Sequence, residues 1–250
     1  MDFSNGGVFG LPRFFVPEVS GDTILITGGD ARHISYSLRM ATGDDITFCN
    51  GGKDYFCKIE SFSEEGVLCR IISSENSKSE PDVFLTLYQA LPKGDKFETI
   101  IQKSVELGVS RIVPVMSKRC VSRPDDKSFA KKLLRYNKIA EEAAKQSGRG
   151  IIPEITPIMD YDKAVKEARE CDLPLICYER EGGKRFSEID FKEKKTISLI
   201  IGSEGGFDSS EAEKAIDDGI IPIWLGERIL RCETAPLAAI SIIMNLTGNI

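Results

Sequence analysis

From residue 83 onward, continuous apolar runs alternate with segments of helical periodicity, a texture that few architectures accommodate. Residues 83–90, 111–115, 151–155, 173–178, 196–201 and 221–225 are short, apolar and rich in β-branched side chains. Each reads as a strand buried on both faces, as in a parallel sheet covered by helices. Helical patterns fill several of the gaps. Residues 96–107 place Phe97, Ile100, Ile101, Val105 and Leu107 near helical spacing, with Gly108 as a C-terminal cap. Residues 127–147 form a long basic pattern, and 237–246 an apolar one. The alternation predicts an α/β domain over residues 82–250.

Upstream the texture differs. Residues 23–26, 45–48, 55–59 and 67–72 are short alternating runs. Turn signals separate them: Gly28-Gly29, Gly43-Asp44, Gly51-Gly52 and Glu65-Gly66. Such spacing predicts a small β-barrel over residues 1–72, interrupted by a short helix capped by Asp30. Residues 73–81 are polar, serine-rich and end in Pro81, which predicts a linker.

Composition narrows the function. No apolar run approaches the roughly eighteen residues of a membrane span, and the first residues lack the pattern of a secretory signal. A cytoplasmic protein is expected. Seven scattered cysteines with no CxxC argue against a disulfide framework, and His33, the only histidine, has no ligand-like neighbours, so no metal is expected. The net charge of -6 is unevenly spread. Residues 111–149 hold eleven Lys/Arg against four Asp/Glu, while residues 1–72 hold six against ten. One basic block in an acidic chain is either a phosphate-binding face or a solvated helix.

Two late segments carry the chemistry. Strand 196–201 runs into Gly202-Ser203-Glu204-Gly205-Gly206, and Asp208 or Ser209 then caps a helix with Glu211 in its first turn. Ligands of open α/β sheets bind just past strand carboxyl ends, and glycines there permit close backbone approach. A Cβ at Gly205 is expected to crowd that approach. The segment is neither GxGxxG nor a P-loop, and a plain tight turn is the competing reading. The second segment leaves strand 221–225 at Gly226, passes Glu227-Arg228-Ile229-Leu230-Arg231-Cys232-Glu233-Thr234, and enters the apolar helix. Arg228, Arg231 and Glu233 between a buried strand and a buried helix need partners. They face a ligand or form a structural ion-pair cluster.

These two segments, "IGSEGGFDSSE" and "WLGERILRCETAPLAA", resemble the cofactor loops of the SPOUT methyltransferases. Within that class the chain resembles the RsmE family, which makes N3-methyluridine in 16S ribosomal RNA. "RFFV", "DARHISYSLRMATGD" with His33 and Arg39, "LPKGDKFETIIQKSVELGVSRIVPVMSKR", and "AEEAAKQSGR" with Glu142, Ala143, Gln146 and Arg149 are similar to further blocks of the family, in the same order. Ser203 stands where the family usually has proline.

The resemblance implies a PUA-like β-barrel that binds RNA, then a SPOUT-type α/β domain with a C-terminal trefoil knot. It implies a homodimer acting on ribosomal RNA or the small ribosomal subunit, with S-adenosyl-L-methionine as cofactor. It assigns cofactor contacts to Ile201, Gly202, Ser203, Glu204, Gly205, Gly206, Leu225, Gly226, Arg228, Ile229, Leu230, Thr234 and Ala235. Candidate RNA contacts are Arg13, Arg32, His33, Arg39, Arg119, Arg123, Lys131, Lys132, Arg135, Gln146 and Arg149, bridging the N-terminal face and the basic segment. Uridine N3 must lose a proton before it accepts a methyl group. Arg231 is the candidate for stabilising the resulting anion, and Glu233 for the base or for holding Arg231. A lone histidine in a β-barrel is more often structural or an RNA contact than a base, which is the reading for His33, and Cys232 is read as a packing residue because methylation at N3 needs no covalent adduct. The rivals are a ribose 2′-hydroxyl methyltransferase on the same scaffold, a non-catalytic RNA-binding protein, and a small-molecule α/β enzyme.

Overall fold

The computed structural model describes residues 11–178 and 183–250, and the chain divides into two units. The first comprises residues up to Glu80 together with Ala144–Ile151. Its strands are β1 (Arg13–Phe15), β2 (Thr23–Ile26), β3 (Asp45–Asn50), β4 (Lys53–Phe62) and β5 (Val67–Asn76). They form one sheet in the order β1-β3-β4-β5-β2, parallel between β1 and β3 and antiparallel elsewhere. Alternation puts Ile24, Ile26, Ile46, Phe48, Cys57, Ile59, Val67 and Cys69 into one core, closed by Phe14, Ala31 and Ile34. Gly66 sits in the β4–β5 turn at φ +149°, and a Cβ there would lie 2.0 Å from the Ile26 carbonyl oxygen. That turn therefore demands glycine.

Three expectations change in this unit. Gly28-Gly29 is not a plain turn: it opens helix α1 (Gly28–Arg32), whose N-cap position is Thr27 rather than Asp30. β1 carries only three residues, too few for a periodic signal. Residues 73–81 are not a free linker, because β5 continues to Asn76 and Ser77 N–H donates to the Gly52 carbonyl at 2.8 Å.

Glu80 then anchors the returning segment. Its carboxylate accepts from Arg149 Nη2 at 2.7 Å and from the backbone N–H groups of Gly150 and Ile151. Arg149 is 3% exposed, so it is a buried structural cation and not the RNA contact expected from its place in a basic run. Arg13 is likewise engaged, with both terminal nitrogens on Asp54 at 2.8 and 2.9 Å. Glu80→Ala should cost about 3 kcal/mol, because it strips a carboxylate from a buried cation. Thermal unfolding checks this, and an unchanged Tm refutes it.

The second unit holds a parallel sheet. Its elements are β6 (Phe84–Ala90), α2 (Lys96–Glu106), β7 (Arg111–Met116), α3 (Asp126–Gln146, whose residues from Ala144 on belong to the first unit), β8 (Glu154–Ile155), β9 (Met159–Asp160), α4 (Tyr161–Ala168), β10 (Leu173–Cys177), β11 (Thr196–Ile201), α5 (Ser209–Asp217), β12 (Ile221–Ile223) and α6 (Ala235–Leu246). The strand order is β12-β10-β11-β6-β7-β8, with β9 also beside β7. Leu85, Leu87, Ile112, Leu175, Leu199 and Ile200 are buried within it, as continuous apolar runs require. α6 packs on α2, joining Phe97, Ile100, Ile101 and Val105 with Ala239, Ile240, Ile243 and Met244 in the core. β12 stops at Ile223, so Trp224 and Leu225 leave the sheet. Among the described residues no helix is long and apolar enough to cross a membrane.

Candidate active site

Three adjacent parallel strands, β11, β10 and β12, end at one side of the second unit. The loops that leave β11 and β12 enclose a cavity of about 640 Å³. Its walls include every residue from Ile201 to Phe207, then Ile223 to Gly226 and Arg228 to Cys232.

The loop after β11 folds as a tight turn. Gly206 N–H donates to the Ser203 carbonyl at 2.9 Å, with Gly206 at φ +64°. A Cβ on Gly202 would lie 3.0 Å from Gly206 Cα and 3.1 Å from its carbonyl carbon. A Cβ on Gly205 would meet nothing closer than Arg119 Cβ at 3.4 Å. The glycine that geometry requires is thus Gly202, not Gly205. Arg119 clasps the turn: its Nη1 donates to the Gly205 carbonyl at 2.9 Å, and its own carbonyl accepts from Ser203 Oγ at 3.3 Å. Gln89, fully buried on β6, donates from Nε2 to the Gly202 carbonyl at 3.1 Å. After the turn Asp208 caps α5, and Glu211 closes the capping box as expected.

Lys96 links both loops. Its Nζ lies 3.0 Å from Glu204 Oε1 and 3.5 Å from Glu233 Oε2. Glu204 also accepts from the Lys93 N–H at 3.0 Å. Burial pushes both carboxyls up, but hydrogen bonds and the Lys96 charge outweigh it. Glu204 and Glu233 are each held below the usual carboxylate range. Cys232 Sγ donates to Glu233 Oε2 at 3.2 Å. Burial first, and then that carboxylate, push the Cys232 thiol up to about 12.

Arg228 and Arg231 line the cavity, yet both are exposed. Among the described residues no hydrogen bond or ion pair holds either guanidinium. Of the two readings that the sequence left open, the structural ion-pair cluster does not form around these arginines, which are exposed, and Glu233 pairs with Lys96 instead. The Arg231 carbonyl accepts from the N–H groups of Thr234 and Ala235 at 2.8 and 2.9 Å, starting α6. Ala235 reaches the cavity, whereas Thr234 and Glu233 do not line it.

All the expected cofactor contacts except Thr234 therefore gather around one cavity. Lys96, Tyr178 and Trp224, none of them among the expected contacts, also line it, as does Arg119, which was expected to touch RNA. Cys177 ends β10 and Tyr178 follows it, and the place of β10 between β11 and β12 is a property of strand order alone. The expected RNA contacts fall in both units and differ in how each is engaged locally. Arg119 belongs to the cavity. Arg123 donates to the carbonyls of Ser117, Lys118 and Cys120. Lys131 and Lys132 are exposed on α3, and Arg135, also exposed, pairs with Glu98 at 2.6 Å. Arg32, His33, Arg39 and Gln146 are exposed as well.

Comparison with known proteins shows the family of the chain. Residues 79–244 match the RNA methyltransferase domain family. The chain is similar to ribosomal RNA small subunit methyltransferase E of Bacillus subtilis, 38% identical over 229 residues, covering 88% of this chain and 89% of that protein. It is similar to the same enzyme of Mesomycoplasma hyopneumoniae, 34% identical, covering 90% and 95%. Its structure resembles that of the Neisseria gonorrhoeae enzyme bound to S-adenosyl methionine, with a TM-score of 0.86, 32% identity, and 94% and 98% coverage. With a matched domain that spans most of its length and relatives of this identity along nearly all of it, the chain belongs to the ribosomal RNA small subunit methyltransferase E family of RNA methyltransferases.

Proposed function

We propose that this protein is an S-adenosylmethionine-dependent methyltransferase that methylates N3 of a uridine in 16S ribosomal RNA of the small subunit. The observation that carries the reading is one cavity of about 640 Å³, walled by two strand-end loops, with Arg231, unpaired among the described residues, on its wall. The volume suits a nucleoside-sized ligand. The peptide groups of residues 202–206 and 225–230 offer neutral donors and acceptors, and Gly202 keeps the turn free of a Cβ. When bound, the cofactor supplies a methyl group on a sulfonium, so the protein's part is placement and electrostatics.

The free charge of Arg231 suits the developing uridine anion at O2 or O4. Glu233 suits anchoring better than proton removal, because a carboxyl held below its usual range is a weaker acceptor. Cys232 is a buried thiol with a raised pKa, and methylation at N3 needs no covalent adduct.

The same reading takes the first unit as a PUA-like RNA module and the second as a SPOUT domain with a trefoil knot. The knot rests on the resemblance; the chain after β12 turns back from the sheet edge to α2, where Glu233 meets Lys96. It also takes the protein as a cytoplasmic homodimer. Ile229 at 82% exposure, with Ile242 and Leu246 on α6, offers apolar surface for a second copy.

Mass mapping of 16S RNA from a strain lacking the protein tests the reaction. Loss of one N3-methyluridine, restored by the purified enzyme with S-adenosylmethionine, is the expected result. A missing ribose methyl would favour the 2′-hydroxyl rival, and RNA binding without cofactor binding the non-catalytic one. For the RNA path, replacing Lys131, Lys132 and Arg135 together by Gln should weaken RNA binding. Each lost phosphate contact should lower the salt slope by roughly 0.7 to 0.9. An unchanged slope would make the α3 face an ordinary solvated surface.

A further inference from the structure

In the first unit, α1 runs directly into a wide helical turn, His33–Ser37. Leu38 N–H donates to the His33 carbonyl at 2.9 Å, and Met40 N–H reaches the Ile34 carbonyl at 3.1 Å. Between them Arg39 stands at φ +54°, a conformation that glycine adopts without strain and arginine resists. Wide helical turns and left-handed non-glycine residues gather at functional sites.

The inner side of this segment is fully used. Ala31 and Ile34 are buried in the core, and the His33 ring sits edge-on to Phe14, with centroids 6.0 Å apart. The outer side packs against nothing described. Tyr36 is 79% exposed, and Arg32, His33 and Arg39 are exposed around it. Among the described residues, the side chains of Arg32, Tyr36 and Arg39 make no hydrogen bond or ion pair. The neighbouring acid, Asp30, already faces Lys145 at 3.6 Å. Arg32 and Tyr36 are four residues apart and share a helical face.

Folding does not account for an aromatic ring left in water among unpaired cations. We infer that Tyr36 is a stacking platform for an unpaired RNA base, with Arg32, His33 and Arg39 holding the adjoining phosphates. This rests on the reading of the protein as one that acts on RNA. The base must be unpaired, because a duplex hides base faces inside its stack, while single strands offer them to aromatic rings. A protein partner would bring carboxylates for the cations but would leave the exposed ring without a flat counterpart.

The test uses the full-length enzyme and two probes: a short single-stranded RNA of mixed sequence carrying a fluorescent adenine analogue, and its duplex. Tyr36→Ala should weaken single-strand binding roughly 5- to 150-fold and abolish quenching of the analogue. Tyr36→Phe should retain both. The salt slope should stay constant in Tyr36→Ala and fall by roughly 0.7 in Arg32→Ala. S-adenosylmethionine affinity, measured in parallel, should not change. Equal affinity of Tyr36→Ala and wild type overturns the inference, as does a Tyr36→Phe variant as weak as Tyr36→Ala. So does a duplex bound with the same dependence on Tyr36. A loss confined to assembled small subunits, absent on naked RNA, would identify a ribosomal protein as the partner and equally overturn it. Failure of the wild type to bind any RNA refutes the RNA reading itself, which separates the two.

Discussion

Arg231→Ala is expected to lower kcat about 100- to 1,000-fold while S-adenosylmethionine affinity stays the same. The separation follows from the geometry. The guanidinium lines the cavity but is exposed and bound to no other group described, so its removal unpairs nothing and leaves the fold intact. A charge that folding leaves free is available for charge that develops only during reaction. Single-turnover methylation and calorimetry with the cofactor measure the two quantities independently. Arg231→Lys keeps the charge but loses the planar fork, and should recover only part of the rate. Arg228→Ala serves as a comparator, since Arg228 shares the cavity wall and the exposure. Unchanged turnover in Arg231→Ala would exclude the residue from catalysis. A parallel fall in rate and cofactor affinity would make it a cofactor contact instead.

Gly202→Val is expected to weaken S-adenosylmethionine binding by about 100-fold, near 3 kcal/mol, the upper range of overpacking costs. The new Cβ would press on the Gly206 backbone at 3.0 Å, and backbone cannot step aside as a flexible side chain can. Its pressure would open the Ser203–Gly206 turn that walls the cavity. Gly205→Ala is the control, because its Cβ comes no closer than 3.4 Å to the Arg119 side chain and 3.8 Å to the Arg119 carbonyl oxygen, which are ordinary contacts. It should stay within about 0.5 kcal/mol of wild type. Calorimetry decides between them: equal affinities in the two variants would remove the cradle argument, and a larger loss in Gly205→Ala would return the close approach to that position.

The contrast between these two glycines shows how far the sequence can be read. That the loop after strand 196–201 is a glycine turn running into a helix was legible in its glycines and in the helix start at Asp208. Which glycine lies against backbone was not, because it depends on how the turn closes on itself. Basic residues divide in the same way. Arg149 and Lys131 look alike in a chain segment of excess positive charge, yet Arg149 is buried against Glu80, 69 residues away, and Lys131 stands in water. Arg119 resembles a phosphate contact until the fold brings it to the Gly205 carbonyl. Lys96 reads as one more lysine at a helix start, and its position between Glu204 and Glu233 is visible only in three dimensions.

By itself the sequence determined the kind of each long element and the two textures of the chain. A strand buried on both faces must be apolar throughout, and a helix must repeat its apolar stripe every three or four residues. Those demands fall on neighbours in the chain and leave their mark there. The tertiary structure alone decided the strand order β12-β10-β11-β6-β7-β8, the return of Ala144–Ile151 to the first unit, and which charges are paired and which stay free. These depend on approaches between residues far apart in the chain, whose energies come from burial and close contact and impose no local period.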